Sequence, residues 1–155
     1  MTFIRKNVCS AGILLFREKK DRNGRIKYKY LIGHPGGPFF TKKDNNYWSI
    51  LKGIVEPGED NITGAIREFK EESGINFNIK KSELIDLDIV KLRNGKTIHI
   101  FAWKDPNPEK DYKFSSNIIR IKYPTTSDKY ISIPEIDEHK FYGKNNALKK
   151  LNSAQ

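Results

Sequence analysis

The chain has few of the features that mark secreted, membrane-spanning or repetitive proteins. It contains one cysteine, Cys9, among 155 residues, so it cannot form an internal disulfide. No apolar run approaches the roughly 20 residues that a membrane-spanning helix needs. The first residues, Met1–Asn7, lack the apolar core of a signal peptide, and we find no repeat or low-complexity segment. We therefore expect a cytoplasmic protein without a membrane segment, folded as a single domain of residues 1–155.

Positive charge is in excess. The chain has 29 Lys and Arg residues against 19 Asp and Glu residues, a net charge of +10. Such an excess attracts phosphate groups, including those of nucleic acids. The basic residues are mostly lysines spread along the whole chain, with no arginine-rich arm or aromatic–basic RNA motif. We expect the field to draw in a phosphorylated small molecule, and RNA is a less favoured partner.

An amphipathic helix is predicted after the Pro57-Gly58 turn. Asp60 or Asn61 suits its N-cap, and Gly74 suits the left-handed residue that ends it. Four apolar residues recur at helical spacing on one face: Ile62, Ala65, Ile66 and Phe69. Gly64 within the helix is a local weakness that costs about 1 kcal/mol relative to alanine.

Three glutamates lie on the opposite face of this helix. Glu68, Glu71 and Glu72 are spaced i, i+3 and i+4, which makes them neighbours on the helix surface. Like charges at this spacing repel, and they lie near the negative end of the helix dipole. A hard divalent cation such as Mg²⁺, which prefers oxygen ligands, would reverse both penalties. An ordinary solvated helix face is the alternative interpretation of the same residues.

The segment before the helix adds to this pattern. Gly53 and the Pro57-Gly58 pair predict a tight loop that folds back towards the helix. Such a loop would bring Glu59 and the Gly53 carbonyl towards the glutamates. Arg67 lies beside them and is able to pair with Glu59 and hold it in place.

Together these residues resemble the signature of the Nudix hydrolase family. Gly53 is followed after five residues by Glu59, and after seven more by the segment Arg67–Ile75, Arg-Glu-Phe-Lys-Glu-Glu-Ser-Gly-Ile. Every fixed position of the Nudix box is met. The preceding segment, Tyr47–Gly53, resembles the lead-in of the dinucleoside-polyphosphate-hydrolase-like branch, with Leu51 where that branch carries proline.

Strand patterns flank the predicted helix, and two Asn-Gly pairs, at 23–24 and 94–95, predict hairpin turns. The predicted strands are Val8–Phe16, Lys27–Gly33, Tyr47–Leu51, Asp86–Leu92, Lys96–Trp103 and Asn117–Tyr123, with a short terminal helix at Ala147–Leu151. This order predicts an α+β fold. The Nudix resemblance implies the same: an α/β/α sandwich with a mixed central sheet.

The resemblance also implies a chemistry, the metal-dependent hydrolysis of a nucleoside diphosphate linked to another moiety, X. It implies that Glu68, Glu71 and Glu72 bind Mg²⁺ or Mn²⁺ together with the Gly53 carbonyl. Glu59 would act through water or by holding a ligand, and Arg67 would orient it. The base that activates water is then Glu68, Glu71 or a carboxylate of a later loop, for which Glu135 is the first candidate and Glu138 the second.

Candidate substrate contacts lie just before the box. Lys52 is placed to meet a phosphate, and Trp48, Phe39 and Tyr47 are candidates to stack on a base. A solvated strand end for Lys52 and core positions for the aromatic residues are the alternatives. We expect a nucleotide or dinucleoside polyphosphate substrate and a monomer or homodimer. An RNA 5′-pyrophosphohydrolase and a non-catalytic nucleotide-binding module are the competing functions.

Overall fold

A mixed β-sheet forms the centre of the molecule in the computed structural model, which describes residues 8–92, 94–153 and 155. The strands are β1 (Cys9–Lys20), β2 (Ile26–Pro35), β3 (Leu51–Ile54), β4 (Ile85–Lys91), β5 (Thr97–Lys104), β6 (Ile118–Lys122), β7 (Tyr130–Pro134) and β8 (Ile136–Gly143). The helices are α1 (Asn61–Ser73) and α2 (Lys144–Lys150), with a 3-10 turn at Lys81–Glu83. None of the helices in the described part of the chain has the length and apolar character needed to span a bilayer.

Strand β1 organises this sheet. The order is β4-β5-β1-β2-β8, and β6 and β7 form a separate two-stranded hairpin. β1 runs parallel to β5, whereas its pairings with β2 and β3 are antiparallel. One edge of β1 is shared, because residues 10–13 pair with β3 and residues 16–20 pair with β2. β2 and β3 therefore diverge from the same edge, and the predicted mixed sheet is confirmed.

Two hydrophobic clusters cover the two faces of the sheet. On one face α1 buries Ala65 and Phe69 against Ile13 and other β1 residues, joined by Phe77 and Trp103. The other face is covered by residues from β2, from the segment just before β3, from β5 and from the end of the chain: Ile32, Trp48, Ile50, Ile98, Ile100 and Leu151. Because β side chains alternate between faces, β1 supplies both clusters. The sheet therefore lies between α1 and the α2 region, as the predicted α/β/α arrangement requires.

Both predicted hairpin turns are present. Gly24 joins β1 to β2 with φ 75°, and Gly95 joins β4 to β5 with φ 83°. Glycine adopts this left-handed conformation without the steric cost that a Cβ atom brings. The Asn-Gly pairs therefore predicted both turn positions from local chemistry.

Two predicted element boundaries were wrong, and one strand was not predicted. The predicted strand Tyr47–Leu51 makes only single bridges, and the strand that joins the sheet begins at Leu51 and continues into the box. The terminal helix begins at Lys144, not at Ala147. The sequence also gave no indication of β8, whose polar stretch becomes a strand through pairing with the distant β2. Each error concerns contacts far apart in the sequence, which local patterns do not encode.

Candidate functional site

Helix α1 begins and ends where its capping residues predict. The Asp60 side chain accepts a hydrogen bond from the Thr63 amide at 2.8 Å, and Gly74 adopts φ 71° and donates to the Lys70 carbonyl. A Cβ atom at Gly74 would overlap the carbonyl of Ser115, so a later segment lies directly against this end of the helix. The caps fix α1, and the contact at Gly74 brings a distant part of the chain towards its glutamates.

Arg67 connects the loop before the helix to the helix itself. Its guanidinium pairs with both Glu59 carboxylate oxygens at 2.9 and 3.0 Å, as the sequence predicted. The same group donates to Glu68 at 2.8 Å, to Glu71 at 3.3 Å and to the Ile54 carbonyl at 3.0 Å. The two hydrogen bonds from Arg67 to Glu59 lower the pKa of Glu59, which therefore remains ionised.

Glu68 faces inwards against the backbone of β3. A Cβ atom at Gly53 would overlap the Glu68 carboxyl group, so only glycine allows this approach. Burial raises the pKa of Glu68, although the Arg67 guanidinium opposes that shift; Glu71 and Glu135 raise it further. The carboxyl group of Glu68 and the backbone of Gly53 thus lie in direct contact, as the predicted ligand set requires.

Glu72 is the most buried acidic group of the helix, with 1% of its surface exposed. Its carboxylate accepts a hydrogen bond from the Lys52 amide of β3 at 2.9 Å. Burial raises its pKa to about 9; Lys52 opposes the shift, and the nearby carboxylates of Glu135 and Glu68 add to it. A buried glutamate with other carboxylates nearby is costly unless a proton or a cation neutralises it. The solvated-face alternative is therefore wrong for Glu68 and Glu72.

Glu71 differs from its two neighbours because its side chain is 45% exposed, and among the described residues its carboxylate pairs with Arg67. Among the described residues, no three His, Cys, Asp or Glu side chains already surround one point as metal ligands. In this structure the positive charge that balances the acidic group comes from Arg67 and Lys52. The acidic cluster, defined as Glu59, Glu68, Glu71 and Glu72, is therefore assembled around an arginine.

Glu135 joins the acidic cluster from the other end of the chain. Its carboxylate accepts from the Asn117 amide at 3.0 Å, and its backbone amide donates to the Asn117 carbonyl at 3.0 Å. Asn117 in turn donates its backbone amide to the Glu71 carbonyl at 3.1 Å. Glu138, the second candidate base, instead lies beside His34 in a separate shallow cavity. Of the two candidates, the structure brings Glu135 to the cluster.

A cavity of about 860 Å³ opens beside these carboxylates. Glu72, Glu135 and Lys52 form its polar end. Its remaining wall is mostly apolar and comes from the 36–47 loop, the inner face of the β6–β7 hairpin and the last residues of the chain, including Phe39, Phe40, Tyr47, Ile119, Ile121 and Ile133. A largely apolar cleft with a few polar groups at one end is typical of a small-molecule site.

The predicted substrate contacts divide into two groups. Lys52, Phe39 and Tyr47 line the cavity. Trp48 does not, because it lies in the second core cluster with 2% of its surface exposed. Its indole Nε1 donates to Asp44 at 2.8 Å, and its ring packs against His34 and Tyr142. The proposed stacking role for Trp48 is therefore wrong, since its ring faces are used inside the protein.

Two residues that support the acidic groups were not predicted from the sequence. Asn117 supports Glu135, and His139 donates from Nε2 to the Glu72 carbonyl at 2.7 Å while its ring stacks on Phe114. Neither residue belongs to the box or to a recognisable spacing. Their positions follow from the pairing of β8 with β2 and from the attachment of residues 115–117 to the end of α1.

Comparison with known proteins agrees with this geometry. The sequence model of the NUDIX domain matches residues 8–113, which include β1 to β5, α1 and the acidic cluster. The chain therefore belongs to the Nudix hydrolase family. The elements after residue 113 contribute β8, the β6–β7 hairpin and Glu135 to the same sheet and cavity.

The individual relatives share between 12% and 31% of their aligned residues with this chain. An RNA pyrophosphohydrolase of Rhodopseudomonas palustris is 31% identical over 93 residues, which are 60% of this chain and 49% of that protein. The chain thus matches about half the length of this relative. An Ap4A hydrolase binary complex from C. elegans superposes with a TM-score of 0.54 at 23% identity, over 91% of this chain and 84% of that one. The NUDIX domain of Shewanella oneidensis NrtR, complexed with ADP ribose, superposes with a TM-score of 0.57 at 12% identity, over 95% of this chain and 79% of that one. At these identities the structures establish the fold alone.

Proposed function

We propose that this chain, acting as one domain of residues 1–155, hydrolyses the pyrophosphate linkage of a nucleoside diphosphate joined to another moiety. The observation that carries the proposal is the burial of Glu68 and Glu72, of which Glu72 lies at the polar end of an apolar cavity. Burying two neighbouring carboxyl groups is costly for a fold even with Arg67 and the Lys52 amide beside them, because burial raises the pKa of both groups. Their position is understandable if a cation and a phosphorylated substrate meet there.

The donor set suits Mg²⁺ or Mn²⁺. Glu68, Glu71 and Glu72 would hold the ion together with the Gly53 carbonyl, which gives only oxygen donors, as hard cations prefer. The overlap that a Cβ at Gly53 would cause with Glu68 supports this assignment, because it keeps a backbone carbonyl and a carboxylate adjacent. When bound, the ion would polarise phosphoryl oxygens and lower the pKa of water.

Arg67 and Glu59 would act by positioning. The two hydrogen bonds from Arg67 to Glu59 fix the loop against the helix, and the contact to Glu68 orients that carboxylate. Residues around a reactive group contribute when they restrict its orientation. We assign Arg67 and Glu59 to orientation of the ligand carboxylates rather than to bond breaking.

Glu135 is our candidate for the general base. It lies at the cavity with Glu72, its carboxylate is held by the Asn117 amide, and it interacts electrostatically with both Glu68 and Glu72. It would take the proton from water as the water oxygen attacks phosphorus and the bond from phosphorus to the bridging oxygen breaks. Glu68 and Glu71 remain alternative bases, and kinetics of the Glu135→Gln variant would distinguish them.

The cavity would hold the remainder of the substrate. Lys52 lies at its polar end, where a phosphate would need a counter-charge, and Phe39 and Tyr47 offer aromatic surface for a base. Electrostatics and positioning carry most of the catalysis in phosphoryl transfer. These three residues would therefore set affinity and orientation for the substrate.

The test is a substrate panel with detection of released phosphate and pyrophosphate. Nucleoside triphosphates, dinucleoside polyphosphates and 5′-triphosphorylated RNA would each be assayed with Mg²⁺, with Mn²⁺ and with excess chelator. We expect turnover of at least one substrate that requires the ion. Full activity in chelator would overturn the metal assignment, and metal-dependent binding without turnover would indicate a nucleotide-binding module instead.

Removal of pyrophosphate from RNA 5′ ends is a second candidate. The similarity to the R. palustris RNA pyrophosphohydrolase favours it, and so does the excess of positive charge on this chain. The comparison of triphosphorylated RNA with free nucleotides in the same panel separates the two candidates.

A further inference from the structure

Exposed aromatic side chains lie at the cavity and on the adjoining β6–β7 hairpin. Phe39 and Tyr47 line the cavity, Tyr123 packs against Phe39, and Tyr130 lies on the outer face of the hairpin. Phe39, Tyr47, Tyr123 and Tyr130 expose 46%, 42%, 39% and 56% of their surface. We call these four residues, together with Arg120, the mouth surface. Exposed aromatic residues grouped beside a cavity indicate binding, because single exposed apolar residues are common but groups of them are not.

Cations accompany these rings. The Arg120 guanidinium lies 5.4 Å from the centre of the Tyr130 ring, and the Lys43 ammonium lies 5.4 Å from that of Tyr47. Phe39 and Tyr123 meet edge to face with 5.5 Å between their centres. Edge-to-face contact leaves aromatic face available, so these rings remain able to stack on a planar group. Aromatic faces interleaved with cations are the arrangement that binds single-stranded nucleic acid.

The β6–β7 hairpin links the mouth surface to the cavity. Its inner face contributes Ile121 and Ile133 to the cavity wall, whereas Arg120 and Tyr130 project from its outer face, where both are exposed. The hairpin is held near the acidic cluster by the hydrogen bond from Asn117 to the Glu71 carbonyl. A chain that leaves the cavity over this hairpin meets the mouth surface next.

The distribution of charge indicates what that chain is. Among the described residues that line the cavity, Lys52 is the one cation, and it shares the space with Glu72 and Glu135. Outside the cavity, the loop and hairpin carry five cations against two acids: Lys42, Lys43, Arg120, Lys122 and Lys129 against Asp44 and Asp128. Asp44 is paired with Lys150, and Asp128 is paired with Lys122 at 3.8 Å, so Lys42, Lys43, Arg120 and Lys129 are the cations that these two acids leave for a phosphate. The outer cations therefore suit phosphates that lie beyond the reacting group, which a free nucleotide does not have.

We infer that the mouth surface binds a single-stranded polynucleotide, whose 5′-terminal nucleotide enters the cavity while the following nucleotides lie across the hairpin. This inference rests on the proposed function, in its RNA form, for the identity of the reacting end. Tyr123 and Tyr130 stack on bases, and Arg120 contacts a phosphate. Stacking of this kind tolerates different sequences, so we expect affinity for the strand with little dependence on its bases.

The first experiment measures binding without turnover. An eight-nucleotide RNA with a 5′-hydroxyl and a 3′-fluorophore is titrated by anisotropy against the full chain at several salt concentrations. We expect Tyr130→Ala to weaken binding at least fivefold with little change in salt dependence. Arg120→Gln should reduce the slope of log affinity against log salt by about 0.7, the contribution of one phosphate contact on a single strand.

Matched controls come from the β1–β2 hairpin. Tyr28 is 43% exposed and lies on β2, outside the β6–β7 hairpin and the mouth surface. Tyr28→Ala and Lys27→Gln should leave affinity and salt slope as in the wild type. Equal losses in the control and test variants, or equal affinity in all variants, would overturn the inference, since the binding would then be diffuse attraction to a basic protein.

The second experiment separates this inference from the proposed function. Hydrolysis of 5′-triphosphorylated RNA and of a free nucleoside triphosphate is compared in the wild type and in Tyr130→Ala. We expect kcat/KM for RNA to fall at least fivefold relative to that for the nucleotide. If Tyr130→Ala loses RNA binding but the wild type turns over no substrate, the binding surface is supported and the proposed hydrolase function is refuted. If both proteins turn over substrate with the same ratio of kcat/KM for RNA to kcat/KM for the nucleotide, the binding surface alone is refuted.

Discussion

The acidic cluster and the mouth surface lie on either side of the cavity and are built in opposite ways. In the cluster, Glu59 and Glu68 are bound by Arg67, and Glu72 is bound by the Lys52 amide. At the mouth, Phe39 and Tyr130 are about half exposed and contact a single ring or guanidinium. Rigid placement suits groups that must act on one phosphorus, and exposed rings suit a partner whose sequence varies. The difference separates the chemistry from the choice of substrate.

A second contrast lies within α1 itself. Glu71 and Glu72 are adjacent in sequence, yet Glu71 is largely exposed and Glu72 is almost fully buried. The helix turns by 100° per residue, so adjacent side chains face different surroundings. The structure assigns the larger electrostatic cost to Glu72, which makes it the residue whose replacement tests the cluster most directly.

The largest effect is expected for Glu72→Gln. The glutamine oxygen is still able to accept the hydrogen bond from the Lys52 amide, so the fold should be preserved while the negative charge is lost. We expect turnover to fall by about 10³-fold, equivalent to roughly 4 kcal/mol of activation free energy. Steady-state kinetics with Mg²⁺, alongside circular dichroism, measure the two parts of this prediction.

Glu109→Gln is the matched control, because Glu109 is exposed and pairs only with Lys19 at 3.8 Å. It should retain wild-type turnover. Near-normal turnover in Glu72→Gln would mean that the metal assignment is wrong, and a similar loss in Glu109→Gln would mean that the effect is not specific to the cluster.

A pH dependence of stability should follow from the same residue. The pKa of Glu72 is about 9 in the folded chain, against about 4.5 when exposed. Between these values the folded state keeps a proton that the unfolded state loses, so the free energy of unfolding falls as pH rises and levels off above about pH 9. In chelator, we expect a loss of about 5 kcal/mol from pH 5 to pH 9, since each pH unit across this range is worth about 1.4 kcal/mol.

Urea denaturation at pH 5, 7 and 9 measures this loss. The contribution of Glu72 is the difference between the wild type and Glu72→Gln, which should be less sensitive to pH over the same range. Mg²⁺ should stabilise the wild type more at pH 9 than at pH 5, because the ion competes with the proton. Parallel pH curves for the two proteins would refute the burial argument.

The smallest effect is expected for Gly64→Ala. Alanine normally stabilises a helix interior by about 1 kcal/mol relative to glycine. Here a Cβ would lie 2.8 Å from Oε1 of Glu59, whose carboxylate is held by Arg67 through one hydrogen bond to each oxygen. We therefore expect no gain in stability and a fall in turnover of about fivefold, as Glu59 and Arg67 shift.

Gly143→Ala provides the comparison for Gly64→Ala, since nothing lies within 4 Å of a Cβ there and no positive φ is required. It should leave turnover unchanged. An increase in stability of Gly64→Ala with full turnover would show that the Glu59 contact is unimportant.

Local chemistry was sufficient to predict the core of the site. The bounds of α1 follow from Asp60 and Gly74, which satisfy the free backbone groups at the two ends of any helix. The pairing of Arg67 with Glu59 follows from the return of the Pro57-Gly58 loop, which needs few residues and one geometry. Such features depend on residues that are close in sequence, so they can be predicted from a single sequence.

The errors have a common physical origin. Trp48 looked available for stacking, but its ring fills a core that also requires Ile98 of β5 and Leu151 near the end of the chain. Asn117 carried no motif, yet its amide holds Glu135 because residues 115–117 attach to the end of α1. Each position depends on several long-range contacts at once, and no local pattern records them.

By itself, the sequence determined the helix, its caps, both Asn-Gly turns and the set of acidic residues, because spacing and capping act over a few residues. Only the tertiary structure decided which carboxylates are buried, which aromatic rings are exposed and where Glu135 lies. These properties depend on the pairing of β2 with β8 and on the attachment of the segment before the β6–β7 hairpin to the end of α1. These segments are brought together only when the whole sheet has formed.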